Sequence, residues 1–325
     1  MPQDARRSKR WSLDDLIPAA SGPKMEAVFG GLDDAVRRLE AYRDSLVPSI
    51  AESDFVGILG AVEQAGRFTR TLDGYATLWL AEDARDRAAL AFRGRVHGAL
   101  AEARNRALFF ELWWKRLDEG NAARLLDASG DVRYHLETLR RFAPFTLSEP
   151  EEKVINVKDV YGARGLETLY DMITNGLTFE MEIDGEAQSV TRTELMVHAR
   201  DPRPERREAA YRALYEVFAE HGGVLGQIYT YLVGDWNAEN VDLRKMPSSI
   251  SARNLRNDLG DEVVDALLDS CRANAALYRR YFRLKAKWLG RDRLRRYDVY
   301  APIADVERTV PFGKGASIVL ESMRA

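Results

Sequence analysis

The 325-residue sequence contains one cysteine, Cys271, which excludes an internal disulfide and any thiolate metal cluster built within a single chain. A reducing compartment suits such a chain. Long apolar runs are also missing: no stretch approaches the length needed to cross a bilayer. The opening MPQDARRSKRWSLDDL is positively charged but leads into no apolar h-region, so a secretory leader is not expected. The expected location is the cytoplasm, with no membrane partner. A concentrated basic block is lacking and the formal charge is -3. The electrostatic footprint that grips a phosphate backbone is therefore absent, and nucleic acid is not an expected partner.

Histidine is scarce as well. The four are His97, His135, His198 and His221, and no two stand at i, i+4. Zinc hydrolysis on a helix uses two imidazoles one turn apart and a neighbouring carboxylate, the HExxH pattern, and that pattern is absent. No G-x-S-x-G elbow marks a serine nucleophile.

What is present is a foldable, helix-forming chain. Apolar residues make up 46% and charged residues 30%, enough apolar content to offset the entropy of ordering the backbone. The length exceeds what one core usually supports, so two or more lobes are expected. From Asp261 to Gly290, Val264, Leu268, Cys271, Ala275, Tyr278, Phe282 and Leu289 recur at helical spacing. This predicts one buried helix face, with Asp261 as its N-cap and Gly290 as a left-handed stop. In LSEPEE, Ser148 precedes Glu151 by three residues, which predicts a capping box and a helix from Glu149. Another helix is expected to begin around Asp201 and Pro202 and to carry Tyr211, Leu214, Phe218, Leu225 and Ile228, with a bend at Gly222 and Gly223. Residues 32–116 read as several amphipathic helices burying Phe68, Leu72, Tyr75, Leu78 and Trp79. Against this background Leu177, Phe179, Met181 and Ile183 alternate with polar residues, and Asp184-Gly185 then supplies a hairpin turn. A second short strand is expected at 297–303, with Pro302 at its edge or end.

Few residues offer chemistry. Glu194 and His198 stand four apart and could face a shared ion, but zinc demands more ligands, and a surface helix pair is the favoured reading. Gly313 to Gly315 lack the serine or threonine of a phosphate loop, and Arg308 occupies the place of its first glycine; a turn before a helix is expected. Gly162 and Gly165 read as a loop leading into a helix. Cys271, on the predicted buried stripe, is expected to be inert. Trp113, Trp114, Trp236 and Trp288 are assigned to the core before a peptide cleft.

Several blocks together resemble the oligoendopeptidase F family of zinc peptidases, related to thimet oligopeptidase. They are WSLDDLIP from Trp11, RRFAPFTLSEPEEKVINVKD from Arg140, GLETLYDMITNGLTFEMEIDGE, ARDPRPERREAAYRALYEVFAEH, RKMPSSISARNLRNDL from Arg244, and FRLKAKWLGRDRLRRYDVYAPI. The resemblance covers nearly the whole chain in matching order. It implies a mainly α, multi-helical, elongated fold of oligopeptidase-like lobes, with a small β-hairpin near 177–192 and a short strand near 297–303. By the same token residues 1–115 would form an amino-terminal helical region. Residues 116–195 would supply central helices and the hairpin that closes the amino-terminal lobe, and 196–325 the first, incomplete part of a catalytic metallopeptidase lobe.

The activity implied is zinc-dependent cleavage of short peptides, with HExxH and a downstream glutamate holding the metal. None of these ligands maps onto this sequence, so no catalytic, metal or cofactor-binding residue is assigned, and Tyr297 and Asp298 stay unassigned. The expectation is an amino-terminal portion of a longer peptidase that carries no zinc, is inactive alone, and leaves apolar faces open where a cleft wall is missing. A pattern at Ile318, Val319, Leu320 and Met323 that stops at Ala325 without a cap fits either truncation or a fraying native end. The competing reading is a non-catalytic peptide-binding or scaffold protein on the same fold.

Overall fold

A computed structural model describes residues 12–303 and 310–324. The opening segment through Trp11, and Arg308, lie outside the described residues. The described residues form two compact units, each discontinuous in sequence: one of 13–176 with 222–271, the other of 177–221 with 272–303 and 310–324.

The larger unit is built on three helices, α1 (Pro23–Glu40), α2 (Glu52–Glu82) and α3 (Arg87–Arg116). Leu32, Val36, Leu72, Tyr75, Phe92 and Val96 interlock in one core, so the long amphipathic pattern of 32–116 does bury Leu72 and Tyr75. Phe68 and Trp79 are partly buried there, and Leu78 faces solvent. A second core adds α4 (Glu119–Asp127) and α5 (Arg133–Arg141) to the other end of the helices. Its centre is Trp114, fully buried, with its ring 5.5 Å from Phe55 and its Nε1–H donating to the Leu136 carbonyl at 2.9 Å. Each such large side chain contributes on the order of 1.5–3 kcal/mol by leaving water.

Helix α6 (Glu149–Tyr161) begins where LSEPEE predicts. The Ser148 amide donates to Glu151 Oε2 at 2.8 Å and the capping box is closed from both sides. Gly162 interrupts the helix, and α7 (Ala163–Gly176) follows at once, with Gly165 inside its first turn. After the other unit's segment come α10 (Gly222–Asn237), a single π-helical turn at Ala238–Leu243, α11 (Ser249–Arg256) and the start of α12 (Asp261–Ala273).

The smaller unit opens with the hairpin. Strands β1 (Thr178–Ile183) and β2 (Glu186–Thr191) pair antiparallel, Ile183 opposite Glu186. Asp184 and Gly185 both take positive φ, 54° and 87°, the geometry a two-residue turn of matching twist requires. Phe179 and Met181 are buried against α8 (Arg192–His198) and α9 (Pro204–Glu220). Helix α9 starts slightly later than expected, because Asp201 accepts the Arg203 amide at 2.8 Å and holds a turn before Pro204. The chain breaks at His221 and Gly222, where a bend is expected.

Five expectations are corrected. Residues 297–303 form no strand: Arg296–Asp298 is a 3-10 turn, since Asp298 turns inward to take the Arg295 amide at 3.0 Å and no strand among the described residues lies beside it to pair. The helix expected from Asp261 to Gly290 is two, α12 and α13 (Ala275–Trp288), separated at Asn274; Gly290, at φ 64°, does end the second. Its stripe is not a buried face, for Leu268, Cys271, Tyr278 and Phe282 are all exposed. Nor is Asp261 the N-cap of α12; its carboxylate accepts from Ser251 and Asn254. Gly313 to Gly315 lie inside the first turn of α14 (Phe312–Ser322), rather than before it.

Candidate functional site

Two adjoining cavities in the larger unit, about 380 and 420 Å³, share the wall residues Arg104, Leu108, Glu111, Asn156, Asp159 and Arg164. The first has an apolar floor from α1, α2 and α3, including Leu32, Val36, Val62, Leu100 and Leu108. The second is polar. Helix α6 presents Glu152, Asn156 and Asp159 to it at spacings of four and three, a polar stripe on a single helix face. The π turn after α10 contributes Glu239 and Asn240, and such turns often mark functional positions in helices.

Arg244 organises the polar end. It donates to both Glu152 oxygens at 2.6 and 2.9 Å and to Glu239 at 2.8 Å. Burial alone would pull its pKa down, but the two carboxylates overcome that and raise it; burial likewise works against Glu152, which Arg244 and the Leu147 amide hold below the usual carboxylate range. Asp159 behaves oppositely. Burial pushes its pKa up, Glu239 and Asp235 push it further, and Arg104 and Arg164 oppose them without closing on it. Among the described residues Asp159 accepts no hydrogen bond.

The cations are arranged with the same looseness. Arg256 lies 4.6 Å over the Trp236 ring and donates only to Asn240, at 3.2 Å. Burial lowers its pKa; Glu239 opposes, while Arg244, Arg104 and Arg253 add to the depression. Neither the Arg104 nor the Arg164 guanidinium has a hydrogen-bond or ion-pair partner among the described residues. In the apolar cavity, His97 stands 3.9 Å from Asp73, yet burial first, then Arg164 and Arg93, lower its pKa and favour the neutral ring. The arrangement can receive an anionic group beside an apolar one. It contains no nucleophile held against a base.

The sequence candidates fall elsewhere. Glu194 closes a capping box on Thr191, taking its amide at 2.8 Å and its hydroxyl at 2.9 Å, so this carboxylate is engaged at the start of α8, with His198 near enough to help hold its pKa down. Among the described residues no three His, Cys, Asp or Glu side chains are grouped to hold a metal, and the donor set therefore does not fit zinc. Of the tryptophans, Trp114 is core, Trp113 packs partly buried against it, Trp236 supports Arg256, and Trp288 is 51% exposed. Asp298, unassigned from sequence, is wholly buried in the smaller unit and paired with Arg207 at 2.7 Å; Tyr297 donates to Glu208 at 2.6 Å. The cleft residues Arg104, Glu152, Asp159, Arg164, Arg244 and Arg256 were not selected by sequence reasoning. Their one legible signal is the polar spacing of Glu152, Asn156 and Asp159 on a helix that must also pack.

A mainly helical architecture with one small hairpin defines a class, the oligopeptidase-like fold. A solved structure of oligoendopeptidase-F from Enterococcus faecium superposes with a TM-score of 0.77 at 18% identity, covering 91% of this chain and 57% of that one. A second solved chain, from Chlamydophila abortus, gives 0.60 at 16% identity, covering 96% of this chain and 53% of its own length. The family model for Oligopeptidase F matches residues 113–179, and the group B oligopeptidase PepB of Streptococcus agalactiae is 22% identical over 228 residues, 68% of this chain and 37% of that protein. Within the class, the chain is similar to the amino-terminal portion of oligoendopeptidase F peptidases, and these similarities support that reading. It spans well under two thirds of the length of each of these relatives.

Proposed function

We propose that this chain is the amino-terminal part of a zinc-dependent oligoendopeptidase that hydrolyses short peptides in the cytoplasm, and that it shapes a substrate-restricting cleft while the zinc site lies outside its residues. On this reading residues 196–325 begin the catalytic lobe, and the helices before them limit access to short, flexible chains. The observation that carries the reading is the cleft beside α6 and α7: it is apolar at one end and charged at the other, and the family model's 113–179 supplies Glu152, Asn156, Asp159 and Arg164 to it. Peptides present such a mixture of side chains and charged ends.

The test is metal analysis of the purified 325-residue chain together with hydrolysis of a short quenched peptide. Neither zinc in stoichiometric amount nor cleavage is expected; finding both would overturn the assignment of the metal site elsewhere. The rival, a non-catalytic peptide-binding or scaffold protein, draws support from the same cleft. Translating the source DNA in frame past Ala325 separates the two, for the peptidase reading expects HExxH and a later glutamate.

A further inference from the structure

We infer that Arg104, Arg164 and Arg256 form a carboxylate subsite in the cleft of the larger unit, which takes the free C-terminus of a short peptide whose last side chain is apolar. The inference rests on the peptide reading above and names the end of the peptide that is held.

Its first support is a surplus of unengaged cations. Around the polar cavity, Arg244 is consumed by Glu152 and Glu239, and Lys115 lies 3.5 Å from Glu111. That leaves Arg104 on α3, Arg164 on α7 and Arg256 on α11 in the wall of this cavity, the first two beside Asp159 and the third beside Glu239. A guanidinium placed beside a carboxylate normally closes on it, because the charge-assisted bond is about twice as strong as a neutral one. Here none does. Arg256 lies over the Trp236 ring, 4.6 Å from its centroid, and is bonded only to a neutral amide, so its other N–H groups remain available. Three guanidiniums from three separate helices line one cavity without a hydrogen bond to any carboxylate in it, and an incoming carboxylate can take up their free N–H groups.

The second support is the neighbour. Arg104 and Arg164 also belong to the wall of the apolar cavity of about 380 Å³. A carboxylate held there has Leu32, Val36 and Leu100 within the adjoining space, which suits a terminal residue with an apolar side chain and gives inorganic phosphate nothing to bury. An acidic side chain within a peptide would put backbone, with its polar groups, over the same apolar floor.

The experiment compares binding of one short leucine-terminated peptide, as the free acid and as the C-terminal amide, to the full 325-residue chain by calorimetry. The free acid is expected to bind about tenfold more tightly or better, the scale of a hydrogen bond to a charged group. Arg104→Gln and Arg164→Gln should shrink that ratio by weakening the free acid more than the amide, with circular dichroism confirming the fold. The acid–amide comparison needs no variant and stands even if the substitutions disturb folding. Equal binding of acid and amide would overturn the carboxylate subsite and leave the peptide reading intact. Binding of neither would overturn both. Inorganic phosphate binding to the cleft more tightly than the peptide acid would overturn the subsite in favour of a phosphate site.

Discussion

Asp298 and Arg207 show what a charge must have around it to be buried. Asp298 is 0% and Arg207 2% exposed, and the pair meets at 2.7 Å. Burial pushes the Asp298 carboxyl up, but the Arg207 guanidinium, the Arg295 amide and Arg291 outweigh it and hold the group below the usual carboxylate range. Arg207 is satisfied further by the carbonyls of Asp201 at 2.8 Å and Pro202 at 2.6 Å. The pair ties α9 to the 3-10 turn at 296–298, and Lys285, 5% exposed, adds a bond to the Val299 carbonyl at 2.7 Å. Removing one partner strands the other charge, so Arg207→Met should destabilise by roughly 3–5 kcal/mol. For the native pair the sign of the pH effect is fixed: a depressed folded pKa contributes stability above the unfolded carboxylate value, lost as pH falls through the folded one. Thermal melts from pH 7 down to pH 2 should therefore show the gap between wild type and Arg207→Met narrowing progressively as pH falls, because the stranded carboxyl of the variant, raised by burial, protonates before that of the native pair. A gap that stays constant across that range would remove Asp298 ionisation as its cause.

At the scale of elements, the capping box of α6 is local chemistry and correspondingly easy to check. Ser148→Ala removes the side-chain oxygen at the helix start and should cost about 1 kcal/mol, read as a lower denaturation midpoint with an unchanged slope. Elements whose signal is contained in a few consecutive residues are the ones legible in sequence: this cap, the Asp184-Gly185 turn with its alternating strand, and the Gly290 stop. Elements decided by distant partners are not. Tyr297 to Ile303 reads as a short strand, but Arg207, ninety-one positions from Asp298, decides that Asp298 turns inward. The stripe from Val264 to Leu289 has helical period, yet period says that a face is apolar and not that anything covers it. The cleft was illegible for a related reason. Arg104, Asp159, Arg164 and Arg256 are ordinary surface letters on amphipathic helices, and their convergence exists only once α3, α6, α7 and α11 are packed.

For the molecule as a whole, the uncovered face of α13 has physical consequences. Leu277, Tyr281, Leu284 and Trp288 follow spacings of four, three and four, one continuous stripe, and are 53%, 45%, 42% and 51% exposed. The buried positions of the same helix are Lys285 and Ala286, so the helix contacts its own unit through a short polar and small-residue face while its larger apolar face stays in water. Apolar surface left in water carries a cost of roughly 25 cal/mol per Å² that association can relieve, and contiguous stripes of this kind mark interaction surfaces or aggregation sites. The purified chain should accordingly self-associate as its concentration rises, giving heavier species in sedimentation velocity. The double substitution Tyr281→Lys and Leu284→Lys should return it to the monomer without lowering its melting temperature, since both side chains already face solvent. A chain that sediments as a monomer at every concentration would show that the flanking Arg279, Arg280, Arg283 and Lys287 repel copies strongly enough to keep the stripe apart, and charge rather than apolar area would then govern this face.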